Sequence, residues 1–271
     1  MLGLGNTVSS FEYPQITGYT STKAISFDGT DDRLALPSGV LSNSQLKTSG
    51  TISLWFQLLN PNDSNNSQIM LRMQSNLLTG LDVDDEIIIM YHKYHTRIQY
   101  TYKANNNAVT MLYDVPGSST NSTHVYDDGW THLVCTWKWT GSAAVTDYYV
   151  NGSLIQSETN TGSQYEINTA FTEGSIGNNT QLLIAAGGDT SFMDGDIDQF
   201  AMWNVALDAF DVTAIYNSGS MIDLTQNASG YDKASNILAL YEFEDNLHDS
   251  SGRGNNITTS VGTSFVARQP S

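Results

Sequence analysis

The alternation in "TISLWFQL" (51–58) constrains this chain more than any other feature. Ile52, Leu54, Phe56 and Leu58 fall on one side, and Thr51, Ser53, Trp55 and Gln57 on the other. A period of two over eight residues is the mark of a β-strand lying against a core on one face. "TRIQYTYK" (96–103) alternates in the same way, and "EIIIMYHK" (86–93) is a β-branched run suited to burial on both faces. The short "YHT" between them fits a hairpin. "THLVCTWKW" (131–139) and "TDYYVNGSLIQSE" (146–158) follow, and Asn151-Gly152 between two β runs is a strong two-residue hairpin signal. Many short strands with Gly, Asn and Ser turns predict an all-β sandwich of antiparallel sheets.

One helix is expected after these strands. Asp208 can cap it, Asp211 sits in its first turn where an anion is favoured, and Gly219 can end it. Ala209, Val212, Ile215 and Tyr216 give it one apolar stripe, which predicts packing on a sheet edge. Residues 220–235 are expected to form a long polar connection before a final strand, "NILALYEFE". The last residues, "FVARQPS", read as a tail, free or docked on a partner.

Composition narrows the partners. The 271 residues carry a formal charge of −17 with only 11 Lys plus Arg. Nucleic acid and anionic membranes need clustered cations, so neither is expected as a partner. No segment is long and apolar enough to span a bilayer. The N-terminal stretch lacks the cationic start and apolar run of a secretory signal. The single cysteine, Cys135, lies in an apolar run and reads as a buried core residue, so no disulfide framework exists within one chain. Folding in a cytoplasm is the expectation.

Several segments, taken in order, resemble one family: "AISFDGTDDRLAL" (24–36), "TISLWFQL", "DDGWTHLVCTW" (127–137), "DYYVNGSLI" (147–155), "GSIGNN" (174–179) and "GDIDQFAMWNVALDAFDVTAIYNSG" (195–219). Together they are similar to the laminin-G-like, concanavalin A-like jelly-roll domains. The resemblance covers residues 21–220, with 1–20 as an N-terminal arm and 221–271 as an extension packed on the same domain. Within that extension, "YNSGSMIDLTQ" and "ILALYEFEDNLHDSSGRGNNIT" resemble the ends of laminin-G-like proteins of tailed, especially marine, bacteriophages. There the "DSSG.GN" loop closes the domain. This resemblance implies a non-enzymatic virion protein: a capsid decoration, tail or fibre component, or a host-adhesion module, assembled with other virion proteins as a symmetric oligomer. A stand-alone carbohydrate-binding lectin is the competing expectation, and a glycoside hydrolase the third.

The candidate sites follow from the same comparison. Asp194, Asp196 and Asp198 have the two-residue period of the acidic row used by retaining glycosidases on this fold. All three are Asp rather than the Glu pair of that pattern, and Asp194-Gly195 looks like a turn, so no catalytic residue is assigned. The metal reading is stronger. In this superfamily the "F-D-G-x-D-D" loop lies beside the late "G-x-I-D" strand. That implies a calcium site drawn from Asp28, Asp31, Asp32, Asp196 and Asp198, with Asp198 structural even without a metal. For sugar stacking, Trp55, Trp137 and Trp139 are the candidates, although sandwich cores hold their large residues at such positions. Trp130 is expected to anchor a strand start, and Trp203 to pack the sheet onto the helix. The five histidines form no zinc set, and nucleophile elbows and phosphate loops are missing.

Overall fold

The computed structural model describes residues 19–59, 67–75, 84–92, 97–114, 129–178, 191–228 and 230–268. Alternating strands run through it in the order β1 (Lys23–Asp28), β2 (Arg33–Ala35), β3 (Ser49–Leu58), β4 (Gln68–Gln74), β5 (Glu86–His92), β6 (Arg97–Ala104) and β7 (Asn107–Asp114). They continue as β8 (Thr131–Trp139), β9 (Ala143–Val150), β10 (Ser153–Thr161), β11 (Glu173–Ile176), β12 (Asp194–Trp203), β13 (Ile237–Tyr241), β14 (Thr259–Val261) and β15 (Ser264–Ala267). A four-residue helix α1 (Ser38–Leu41) follows β2, and α2 (Ala209–Tyr216) follows β12.

The strands form two antiparallel sheets. One has the order β10-β9-β8-β3-β12-β1-β15, with β13 also on β12; the other is β14-β2-β11-β4-β5-β6-β7. Leu54, Phe56, Ile197 and Phe200 of the first meet Leu71, Ile87, Ile89 and Tyr100 of the second in one core. Apolar area removed from water there is the main stabilising term. A buried tyrosine adds a polar link across it: Tyr100 Oη donates to the Thr136 carbonyl at 3.1 Å. The expected sandwich is present, Cys135 is in its core, and the Asn151-Gly152 hairpin joins β9 to β10 with φ of 49° and 74°. Those left-handed values are what the Asn-Gly pair supplies at lowest cost.

Four local expectations change. α2 has Asp208 as its expected cap, and the first-turn Asp211 reaches back to the Asp208 N–H to complete a capping box, but the helix ends at Tyr216 because Asn217 adopts φ 45°, ahead of Gly219. It covers the outer face of the eight-stranded sheet rather than an edge: Val212 and Ile215 lie on Val134, Tyr149, Ala201 and Trp203. The 220–235 segment is not simply polar, since Ile222, Leu224 and Tyr231 join that same second apolar cluster. The tail is also structured: β15 pairs with β1, Lys23 opposite Ala267. Of the N-terminal arm (1–20), residues 1–18 lie outside the described residues.

Candidate functional site

The register of β1 on β12 decides the fate of the acidic row. Asp28 sits opposite Asp194 and Ser26 opposite Asp196. Antiparallel pairing therefore places Asp198 four residues, roughly 13 Å, from the Asp28 end. The expected five-carboxylate site divides accordingly. Asp28, Asp31 and Asp32 bring carboxylate oxygens within 4.8 Å of one another, where they could hold a metal ion. Asp196 is nearly buried beside Ser26, and Asp198 belongs to a different network.

The three-carboxylate corner is shaped by two turns. Asp28 Oδ1 accepts from Thr30 N at 2.8 Å, and Asp32 Oδ2 accepts from Asp28 N at 2.9 Å. Asp32 lies under the β14–β15 turn, where Gly262 comes so close that a Cβ there would stand 1.6 Å from Asp32 Oδ1. Burial, with the charges of Asp28 and Asp31, raises the Asp32 carboxyl above the usual range in spite of its backbone hydrogen bond. A cation would relieve that repulsion.

Asp198 is fully buried on the outer face of the eight-stranded sheet. Its carboxylate accepts from Ser21 Oγ and Gln199 N, each at 2.6 Å, and pairs with Arg268 Nε at 2.9 Å. The same guanidinium lies 4.6 Å from the Trp130 ring centre and 5.8 Å from that of Trp55. Trp55 is stacked at 4.8 Å on His132, whose Nε2 is 2.8 Å from Ser53 Oγ. So Trp55, expected on the polar side of its strand, is 2% exposed, and Asp198 is closed off from solvent. Trp137 is a core residue whose Nε1 donates to the Leu46 carbonyl at 2.8 Å, and Trp139 is half-buried against the core rim. Trp55 and Trp137 therefore offer no open aromatic plane. Trp130 at the start of β8 and Trp203 under α2 take their expected places. The Arg268–Asp198 pair was missed in the sequence, where seventy residues separate its members.

The seven-stranded sheet presents a different outer face. Register aligns Ser175, Arg72, Ile88, Thr101 and Thr110 in one row across β11, β4, β5, β6 and β7. A second row holds Glu173, Gln74, Glu86 and Lys103. Arg72 and Glu86 form an ion pair, Gln74 Nε2 donates to Glu173 Oε2 at 3.3 Å, and Gln99 Nε2 to Thr101 Oγ1 at 3.0 Å. Burial raises the Glu86 carboxyl while Arg72 pulls it back. At the β14–β2–β11 end, beside α1, lies a cavity of about 320 Å³. Leu36 and Leu41 supply apolar wall; Arg33, Thr172, Glu173 and Ser175 supply polar groups. That volume is at the lower end of the ~300–1,000 Å³ typical of small-ligand sites.

A family model of the concanavalin A-like lectin/glucanases superfamily matches residues 28–213. The chain belongs to that superfamily. No curated protein sequence matches it. Among solved structures, this superfamily member is similar to a candidate carbohydrate-binding protein of Bacteroides ovatus, at 12% identity and a TM-score of 0.56. The alignment covers 93% of this chain and 61% of that one, so the chain spans less than two thirds of the Bacteroides protein. It is similar also to the binding domain of botulinum neurotoxin DC, solved in complex with rat synaptotagmin II, at 15% identity and a TM-score of 0.51, covering 82% and 49%. A heptameric SAP-like pentraxin of Limulus polyphemus aligns over 91% of this chain and 92% of its own, at 17% identity and a TM-score of 0.49. At these identities the likeness is one of fold.

Proposed function

We propose that this protein is a non-catalytic glycan-binding adhesion module carried on a bacteriophage virion. One observation carries the binding part: the two outer faces of the sandwich are unequal. The eight-stranded face is sealed by the chain's own α2 and 220–235 segment, packed on Trp203 and Tyr149. The seven-stranded face instead carries polar side chains in register, with Gln74, Glu86 and Ser175 buried and Gln99, Lys103, Thr110 and Glu173 more open, and a cavity lies at its Glu173–Ser175 end. Glycans are recognised by such ordered donors and acceptors beside small apolar walls. The similar Bacteroides protein, itself a candidate carbohydrate-binding protein, supports the same class. Catalysis by the acidic row is disfavoured because Asp198 is fully buried and already bound to Ser21, Gln199 and Arg268.

The virion part rests on the "DSSG.GN" loop of the C-terminal extension. Asp249 accepts from Leu240 N and Ser251 N through Oδ1 and from Asn255 N through Oδ2, fastening the loop to β13 as that resemblance implies. Calcium is proposed at Asp28, Asp31 and Asp32, which would supply three of the six to eight oxygens it takes. The test is a glycan array read with calcium and with chelator. Retention of defined glycans supports the proposal; an array that retains none overturns it. Phage particles lacking this protein in fixed copy number would overturn the virion part alone.

A further inference from the structure

We infer that β10 joins two copies of this chain, pairing antiparallel with the β10 of a second copy about a twofold axis at Thr159. This goes beyond the glycan reading and does not depend on it. A sheet edge leaves backbone donors and acceptors unpaired, and proteins usually keep such edges short or covered. β14 and β15, each ending a sheet, have three and four residues. β7, at the far end of the seven-stranded sheet, has its Leu112 N–H taken by Gln156 Oε1 at 3.2 Å. β10 ends the eight-stranded sheet, runs for nine residues and holds no Lys, Arg or Pro. Its hydrogen-bonding phase is set by Gly162 N, which donates to the Ser142 carbonyl at 2.9 Å, and by the register that follows, Asn160 to Ala144, Glu158 to Thr146 and Gln156 to Tyr148. The backbone groups of Ser157, Thr159 and Thr161 therefore point away from the sheet, and all three residues are exposed. Among the described residues only the Thr161 carbonyl is covered, by Gln164 Nε2 at 3.4 Å, from an exposed side chain.

The strand's own sequence selects a second copy as the occupant. Ser157-Glu158-Thr159-Asn160-Thr161 is complementary to its own reverse: Ser157 meets Thr161 of the second copy, Glu158 meets Asn160, and Thr159 meets Thr159. The Ser157–Thr161 and Thr159–Thr159 pairs exchange backbone hydrogen bonds in both directions, and their hydroxyls form the Ser/Thr contacts that stabilise cross-strand pairs. Glu158 accepts from Gln156 Nε2 at 2.8 Å and keeps acceptor positions for the Asn160 amide of the second copy. Moving the axis to Glu158 would set that carboxylate against itself. Moving it to Ser157 would bring the bulge at Ile155 into the new ladder. Charge and the bulge thus single out Thr159. Leu154 and Ile155, 51% and 37% exposed, then fall beside the Ser163–Tyr165 turn of the second copy. The interface is isologous, as a twofold dimer requires. Its axis stands perpendicular to the sheet, so both seven-stranded faces look the same way and two weak sites there would act together.

Analytical ultracentrifugation of the full chain tests this. A dimer is expected, tightening with added salt as the repulsion between two chains of −17 is screened. Thr159→Lys sets two ammonium groups against each other on the axis and should weaken the dimer about tenfold. Thr159→Pro removes an N–H that the single chain does not use, so the fold is kept, with its far-ultraviolet dichroism, while the dimer weakens. Thr159→Cys should form an interchain disulfide on mild oxidation, because its Cα atoms lie about 5.5 Å apart across the axis. Ser153→Cys, at the other end of the strand, should not, and the buried Cys135 takes no part. A parent chain that sediments as a monomer at about 100 µM overturns the inference. So does a dimer that both Thr159→Lys and Thr159→Pro leave intact and that Thr159→Cys does not cross-link.

Discussion

His132 and Asp198 occupy the same buried layer and respond to acid in opposite directions. An unfolded histidine titrates near 6.5, whereas burial pulls His132 down to about 3. As pH falls below 6.5 the unfolded chain takes a proton that the folded one refuses. This contribution to stability is therefore complete above 6.5 and is lost toward 3, a loss of about 2 kcal/mol between pH 7 and pH 5. Burial pushes the Asp198 carboxyl up to about 7, against Ser21, Arg268 and Gln199 N, which favour its charged form. The folded state binds this proton first, so that contribution grows by about 2 kcal/mol over the same interval and fades as pH rises through 7. The test is a difference of differences in urea unfolding at pH 5 and pH 7. His132→Gln should shift the pH 5 minus pH 7 stability upward by about 2 kcal/mol relative to the parent, and Asp198→Asn should shift it downward by a similar amount. Identical pH slopes in parent and variants would refute both assignments.

At the scale of elements, β12 is where the eight-stranded sheet changes partners. Its first half pairs with β1 and its second with β13, and between them Gln199 takes φ 40° in a bulge against β3. The extra residue turns Gln199 so that its Nε2 donates to the Ile222 carbonyl at 2.7 Å, tying the 220–235 segment to the sheet. Gln199→Ala leaves that carbonyl unpaired in a buried place, with an expected cost of about 1–3 kcal/mol. Amide exchange should rise first around Ile222 and Leu224; uniform exchange across the chain would contradict a local tie. The bulge marks a boundary of what the sequence makes legible. β3, β8 and the β9–β10 hairpin are readable because alternation and Asn-Gly turns are local, and so is the Asp208 cap. Ile222, Leu224 and Tyr231 follow no period, so their segment reads as polar although all three are buried. Trp55 is read on the correct face of β3 but not at its true exposure. Alternation says which side a residue faces, and only the tertiary fold says that Arg268, His132 and Tyr216 cover it. For the same reason Ser175 and Glu173, in a four-residue strand, carry no sequence signal of a site.

For the whole molecule, both described ends of the chain converge on one side. Arg268 N donates to the Thr22 carbonyl at 2.9 Å, and Glu244 accepts from Thr22 N at 2.7 Å and Lys23 N at 3.1 Å. The β14–β15 hairpin clips the sandwich, β14 adding to β2 in one sheet and β15 to β1 in the other. Asp198 thus fastens residues 21 and 268 on the outer face of the eight-stranded sheet, while the Glu173–Ser175 cavity opens on the opposite face. An adhesion module held from the first side would present the second to a host glycan. Orientation can be read directly, because Cys135 is fully buried and an added surface cysteine becomes the reactive one. Thr213→Cys, exposed on α2, and Thr110→Cys, exposed on the outer row of β7, are each biotinylated and fixed to a streptavidin surface. Protein fixed through position 213 should capture glycan as in solution. Fixed through position 110, with its binding face against the surface, it should lose most of that capture, whereas equal capture from both would show that the glycan enters elsewhere.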